Sequence, residues 1–481
     1  MSGAISALVL VILASPTIEW LSSRFDPGNT AAAEFSAPPD RPLKGWSYQL
    51  REQLYTYQPA MTVWTSPALF ELDGRPVVAA GACDHRVYVF DAYRGEMLWR
   101  FSTGGGVFSA PVVSNLAGRS VLFAASSDRT VYALDARTGE RLWSRELVDF
   151  RPTLGYSRLT SPAAGELQAG AAIFVGYWVF DSSLASNFQE AGLVALEAAT
   201  GRELWRARFL DQRLSDPLFY RHGVQRLVLV ASADGNLRAL EAERGQLLWS
   251  HREMQPILSA PLVFETEQGP RIVIGGHLGK LRCLDALSGE EKWSFAAGSW
   301  IAAPAAVAEF GGKKLVVFGT YQNSVFALDT GEGKLRWRQY TSGPVYSAPA
   351  VVNDPALPQV IFAAWDHQLY GLSLADGKLL WKVYTGRPLW DGVVLGDSLW
   401  GSPAVARTPG GWMIYFGSYS GVFQALSLSQ AAQAASGSPW SNLEFFVMLF
   451  ATLVVTAILA VYLSRRRRNI IVRENGHQDK I

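Results

Sequence analysis

The chain has 481 residues, and its 43 Lys and Arg nearly cancel its 42 Asp and Glu, leaving a net charge of +1. Near-neutrality excludes the whole-chain positive field that gathers nucleic acid, so no nucleic-acid partner is expected. The two cysteines, with no Cys-x-x-Cys-His run and no Cys/His cluster at zinc spacing, give no basis for covalent haem or a structural metal.

Taken in order, the first element is the apolar run Ile5–Ala14, which has the length of a signal-peptide core and is too short to span a bilayer. Residues 1–30 are read as a signal peptide or an N-terminal anchor. Both remain open, because no Lys or Arg precedes the run and the small-residue cleavage pattern Ala31-Ala32-Ala33 lies well downstream. No Cys follows at the position of a lipoprotein box.

From about residue 40 to 430 the chain repeats itself. The unit is clearest at Ala133-Leu134-Asp135-Ala136-Arg137-Thr138-Gly139-Glu140-Arg141-Leu142-Trp143. Further copies end at Trp99, Trp205, Trp249, Trp293, Trp337 and Trp381, each with Gly four residues before Trp. Val131–Leu134 alternates like a strand, the Asp/Thr/Gly cluster turns the chain, and Arg141–Trp143 begins the returning strand. The Trp is read as a surface that docks against the neighbouring unit, with Ala133 small enough to leave room for it. A period of forty-odd residues built from short β runs predicts a toroid of four-stranded blades.

A second landmark is the Pro that opens each blade: Pro67, Pro111, Pro162, Pro217, Pro261, Pro304, Pro349 and Pro403. Eight openings face seven docking units. The last blade lacks its own outer strand, and the strand around Trp46 stands orphaned upstream of Pro67. The expected architecture is therefore an all-β, eight-bladed propeller closed by its N-terminal strand. A local donor at Trp440 is the alternative. Trp46, Trp99, Trp143, Trp205, Trp249, Trp293, Trp337 and Trp381 are the expected blade-docking residues.

The unit resembles the tryptophan-docking motif, Ala-x-Asp-x-x-Thr-Gly-x-x-x-Trp, of the PQQ-like (quinoprotein-type) β-propeller family. The copy at Ala133 matches in full, whereas Arg94 and Arg244 replace the Thr and Glu197 and Glu241 replace the Asp. The resemblance implies the fold. It extends to two kinds of function: the non-enzymatic propeller of outer-membrane-protein assembly lipoproteins, and the dehydrogenases that hold PQQ with calcium at the ring centre.

Spacing separates scaffold from decoration. The stretches Trp46–Pro67, Trp143–Pro162 and Trp381–Pro403 are longer than the other blade junctions, and Pro162–Gly201 is longer than the equivalent stretch of every other blade. The last excess falls near Trp178–Gln189. In a four-stranded meander all of these emerge on one face. Their Trp, Tyr and Arg content marks that face as protein-binding, with Tyr57, Trp64, Arg151, Tyr156, Trp178, Phe180, Arg387, Trp390 and Trp400 as candidates.

Residues 431–442 read as a linker and 443–463 as a transmembrane α-helix, uncharged from Phe445 to Leu463. A basic tail, 464–481, starts with Arg465–Arg468. The positive tail predicts a single-pass inner-membrane protein of a bacterial cell, with the tail cytoplasmic and the propeller periplasmic. No catalytic, cofactor-binding or metal-binding residue is assigned. The cysteines are not adjacent, as they commonly are in the dehydrogenases, and no stretch matches the calcium ligands. The Asp-His pairs Asp84-His85 and Asp366-His367 sit where blades without His also carry Asp, which marks that Asp as a turn residue. The sequence thus predicts a membrane-anchored periplasmic scaffold with protein partners, themselves membrane-associated. The alternative is a PQQ-dependent dehydrogenase passing electrons to membrane quinone.

Overall fold

The structure is a computed structural model that describes residues 32–34, 45–49, 65–149, 155–181, 188–209, 213–385, 387–388, 394–395, 401–418 and 421–429. The chain divides after Ala431, and every described residue belongs to the first unit. The linker, the 443–463 run and the basic tail lie outside the described residues, and among those described no helix is long and apolar enough to cross a membrane.

The described chain is all-β except for a short helical stretch after its last strand, and it forms eight antiparallel blades. Second strands are apolar and fully buried over most of their length, as at Val121–Ala125 and Leu227–Ala231. They lie in mid-blade, and both faces of a blade pack against neighbouring blades. Outer strands such as Met97–Ser102 mix exposed and buried positions instead, because they form the rim. Each blade is an up-and-down meander. Turns between strands 1 and 2, and between strands 3 and 4, therefore emerge on one face of the ring, the turn face. Turns between strands 2 and 3 and the blade-to-blade links emerge on the other, the insertion face.

Pro at the start of each first strand has no N–H to give the ladder. In six of the eight blades a hydroxyl two residues earlier takes its place. Ser259 Oγ donates to Gly275 O at 3.0 Å and accepts from Gly275 N at 2.9 Å. Ser347 does the same with Ala363, Ser109 with Ala125 and Thr65 with Gly81. Thr160 and Ser215 accept from Gly176 N and Ala231 N.

Blades are joined by their tryptophans. Trp99 Nε1–H donates to Ala136 O at 3.0 Å, across to the docking turn of the next blade. Trp143, Trp205, Trp293 and Trp337 donate in the same way to Ala198, Ala242, Thr330 and Leu374. Trp249 packs against the Gly289 turn without a partner for its Nε1 among the described residues. In the turns, Asp135 Oδ1 accepts from the N–H groups of Arg137 and Thr138 while Arg119 Nε donates to Oδ2 at 2.6 Å.

Ring closure uses the N-terminal strand. Trp46–Gln49 pairs antiparallel with Val422–Ser427 as the outer strand of blade eight, with Trp46 opposite Ala425. Trp46 Nε1–H then donates to Ala92 O of blade one at 2.9 Å, and Tyr415 Oη–H donates to the same carbonyl at 3.1 Å. A feature absent from the sequence reading lies on the inner side. Ala32–Glu34, part of which reads as a cleavage pattern, pairs parallel with Val405–Arg407 and makes blade eight five-stranded. Trp381 departs from the docking pattern: its Nε1–H donates to Gln359 Oε1 of its own blade at 2.7 Å. A Cβ on Gly371 would meet its ring at 2.2 Å, so the ring occupies the space that Ala leaves in other copies.

Removing the residues before Pro67 is expected to lower the melting temperature of the whole propeller, since the third strand of blade eight becomes a bare edge and the joint to blade one is lost. An unchanged melt would contradict ring closure by this strand. Trp205→Ala should cost about 3–5 kcal/mol in chemical denaturation. Trp249→Ala should cost less by about 1 kcal/mol, because no indole hydrogen bond is lost with it.

Candidate protein-binding face

On the insertion face two separate sequence insertions meet. The second and third strands of blade three, Gly170–Asp181 and Phe188–Glu197, outgrow the blade as a hairpin. Beside them the inner position is shared by two strands: Ala163–Leu167 pairs the lower part of the hairpin, and Gly155–Leu159, from the long blade-two-to-three link, pairs the upper part. Pro162 opens the lower strand, so the ladder breaks there and the link folds onto the extension. The result is a three-stranded arm.

The register puts Tyr156 opposite Phe180 and Arg158 opposite Trp178. Residues two apart share a face of a strand, so these four side chains form one surface. Tyr156 is 47% exposed and lies 5.5 Å from Trp178, edge-on, and 5.4 Å from Phe180. Trp178 is buried and forms a wall of this surface, not its exposed tip. The Arg158 guanidinium sits 4.0 Å over the Phe108 ring and 5.7 Å from Tyr156, while that of Arg213 lies 5.9 Å from Trp178. Burial pulls the Arg158 guanidinium below its usual value; the Arg213 charge acts in the same direction, and Tyr156 and Cys83 oppose it.

Of the other expected face residues, Tyr57, Trp64, Arg151, Trp390 and Trp400 lie outside the described residues. For Arg387 the backbone is described, in a two-residue pairing of Arg387–Pro388 with Val394–Leu395. The sequence reading missed Phe108 and Arg213, and with them an aromatic ladder on blades five to seven. His277 stacks on Trp300 at 4.4 Å and Tyr346 on Trp365 at 4.4 Å, with Tyr321 bridging the pairs at 6.1 and 5.6 Å. The signal for part of it was periodic: Trp64, Phe108, Tyr346 and Trp400 each stand three residues before an opening Pro.

The Asp carboxylates of the turns between strands 2 and 3 are engaged within their own blades. The turn residues Asp84, Asp128 and Asp366 accept from Tyr88, Tyr132 and Tyr370, and Asp234 pairs with Arg238, always four residues on. The next residue takes the left-handed conformation, at φ 67 in His85 and φ 66 in His367. The Asp-His pairs are turn geometry, then, and Arg129 occupies the same position at φ 72. Neither Cys83 nor Cys283 is in a disulfide. Among the described residues no three His, Cys, Asp or Glu side chains gather.

Eight blades locked by tryptophans and decorated on one face define a PQQ-like repeat propeller. The family model described as "Outer membrane protein assembly factor BamB" matches residues 61–177, 165–299 and 277–472, and the chain belongs to that family. No curated protein sequence matches the chain. Among solved structures, BamB from Moraxella catarrhalis aligns at 17% identity and TM-score 0.53, covering 79% of this chain and 96% of its own. A europium-containing methanol dehydrogenase aligns at 14% and 0.61, covering 89% and 94%. A quinohemoprotein alcohol dehydrogenase from Comamonas testosteroni aligns at 13% and 0.62, covering 85% and 80%. At these identities the likeness is one of fold.

Burial alone would raise the Asp234 carboxyl, but Arg238, Ser232 and the Asn236 N–H outweigh it and hold it down at about 2. The folded value lies below the ordinary one of about 3.9, so the pairing stabilises the fold above that pH and is lost as pH falls through the folded value. Asp234→Asn should therefore lower the melting temperature at neutral pH, with the gap to wild type closing between about pH 4 and pH 2. A gap that persists through this range would mean that the charge of Asp234 is not what stabilises the turn.

Proposed function

We propose that the chain is a non-enzymatic protein-binding scaffold, held in the bacterial inner membrane by residues 443–463, with its propeller in the periplasm and its basic tail in the cytoplasm. The observation that carries this reading is the arm on blade three. Two insertions that the blade does not need pair with each other and hold Tyr156, Phe180 and Trp178 in a fixed array. Preorganised aromatic surface of this kind is what concentrates binding energy at protein interfaces. The family's description as an assembly factor supports the same class of role.

The competing reading, a PQQ-dependent dehydrogenase delivering electrons to membrane quinone, is favoured by the likeness to the methanol and alcohol dehydrogenases. The engaged turn carboxylates weigh against it.

Full-length tagged protein purified in mild detergent should capture its partners. The pair Tyr156→Ala and Phe180→Ala should lose them with little change in melting temperature, while Glu140→Ala with Glu290→Ala on the turn face should retain them. Loss in the turn-face control alone, or in both, would mean that the wrong face has been chosen. Mixing the purified protein with PQQ and calcium is expected to give no stoichiometric uptake. Uptake with dye-linked alcohol oxidation would put the dehydrogenase first.

A further inference from the structure

We propose that Arg158 and Arg213 form a carboxylate-binding site on the insertion face, which takes an acidic segment of a protein partner; the inference rests on the scaffold reading and names the partner's chemistry. Many arginines elsewhere on the propeller are neutralised within the chain, although Arg338 also lies over rings, those of Phe326 and Tyr340. Arg75 pairs with Asp91, Arg119 with Asp135, Arg129 with Glu146 and Arg271 with Asp285. Arg158 and Arg213 break this pattern. Among the described residues they contact aromatic rings, and neither has a carboxylate or hydrogen-bond acceptor.

Two cations close enough to feel each other, one of them half-buried, are costly to keep without a counter-charge. Ring faces offset part of that cost through the negative face of the aromatic quadrupole. Phe108, Tyr156 and Trp178 supply those faces, and Tyr156 touches Trp178, so both guanidiniums lie on one continuous aromatic floor. A guanidinium laid on a ring keeps its N–H donors at its edge, directed along the ring plane and free to meet a flat carboxylate two-to-two. The aromatic surface also suits apolar residues flanking the acidic ones in a peptide. The backbone that carries Arg158 is fixed in a paired strand, so little ordering is needed on binding.

The floor draws on the links that precede blades two, three and four, through Phe108, Arg158 and Arg213. No single repeat contains the site, and it exists only where three blades meet.

The test uses the full-length protein in detergent and a dye-labelled peptide of alternating Glu and Leu, read by fluorescence anisotropy beside the peptide with Gln for Glu. The wild type should bind the Glu peptide at least about tenfold more tightly than the Gln peptide, with affinity falling as salt rises. Arg158→Gln and Arg213→Gln should each remove most of that preference at unchanged melting temperature, Arg158→Lys should restore part of it, and Arg137→Gln on the turn face should leave it intact. Equal binding of the two peptides, or full preference in Arg158→Gln and Arg213→Gln, would overturn the site. Inorganic phosphate that competes where glutarate does not would overturn the assignment to carboxylate. If partner capture is lost with the Tyr156 and Phe180 changes yet untouched by the two Arg→Gln changes, the acidic-segment inference falls and the scaffold reading stands. Capture indifferent to all of them removes the scaffold reading itself.

Discussion

The propeller depends on one contact, a Trp ring laid against the docking turn of the next blade. At Gly139 two demands coincide. The turn needs φ 74, which suits glycine, and a Cβ there would lie 2.6 Å from the Trp99 ring. The Trp99 Nε1–H also satisfies the Ala136 carbonyl of that turn, so packing, backbone conformation and hydrogen bonding are fixed by one residue pair. Blades contribute small cores of their own, but a core spanning two blades forms only when this joint closes. Stability then accumulates joint by joint, as in other repeat architectures.

The seam between blades seven and eight shows what happens when the pair is missing. Blade eight has no docking turn, because its outer strand comes from the other end of the domain. Trp381 therefore has nothing to dock on and turns into its own blade, over Gly371 and onto Gln359. The seam is held from the opposite direction: Trp412 Nε1–H of blade eight reaches back to Asp354 Oδ2 of blade seven at 3.1 Å. At the next joint the usual direction returns, with Trp46 and Tyr415 sharing the Ala92 carbonyl. One ring thus contains both its rule and a local substitute for it.

Fold was legible to the extent that it is local and repeated. The docking units and opening prolines gave the number of blades, and the orphan strand at Trp46 follows from subtracting one set from the other. The parallel strand Ala32–Glu34 was not legible, since three short residues carry no period and their pairing to Val405–Arg407 is long-range. The hydroxyls at Thr65, Ser109, Thr160, Ser215, Ser259 and Ser347 were present in the sequence, two residues before Pro, but look like ordinary loop composition until their partners are seen sixteen residues on. For the face, counting excess residues located the arm and selected Tyr156, Trp178 and Phe180. It could not select Phe108 or Arg213, which sit in links of ordinary or nearly ordinary length and join the cluster through the curvature of the ring.

The two faces are unequal for a physical reason. Every docking turn on the turn face is the receptor for a neighbour's Trp, so a longer or differently shaped turn there would open a joint. The 2–3 turns and blade links on the other face receive no such ring, and their backbone is satisfied by an Asp in the turns of blades two, four and seven and by a hydroxyl two residues before six of the opening prolines. Insertions are tolerated on that face, and there they can pair with one another, as Gly155–Leu159 does with the Gly170–Asp181 strand. The same freedom lets a side chain forgo an internal partner. Arg119, beside a docking turn, is bound to Asp135, which orders the turn that receives Trp99. Arg158 and Arg213, on blade links of the other face, lay their charge on aromatic rings and not on a carboxylate of the chain.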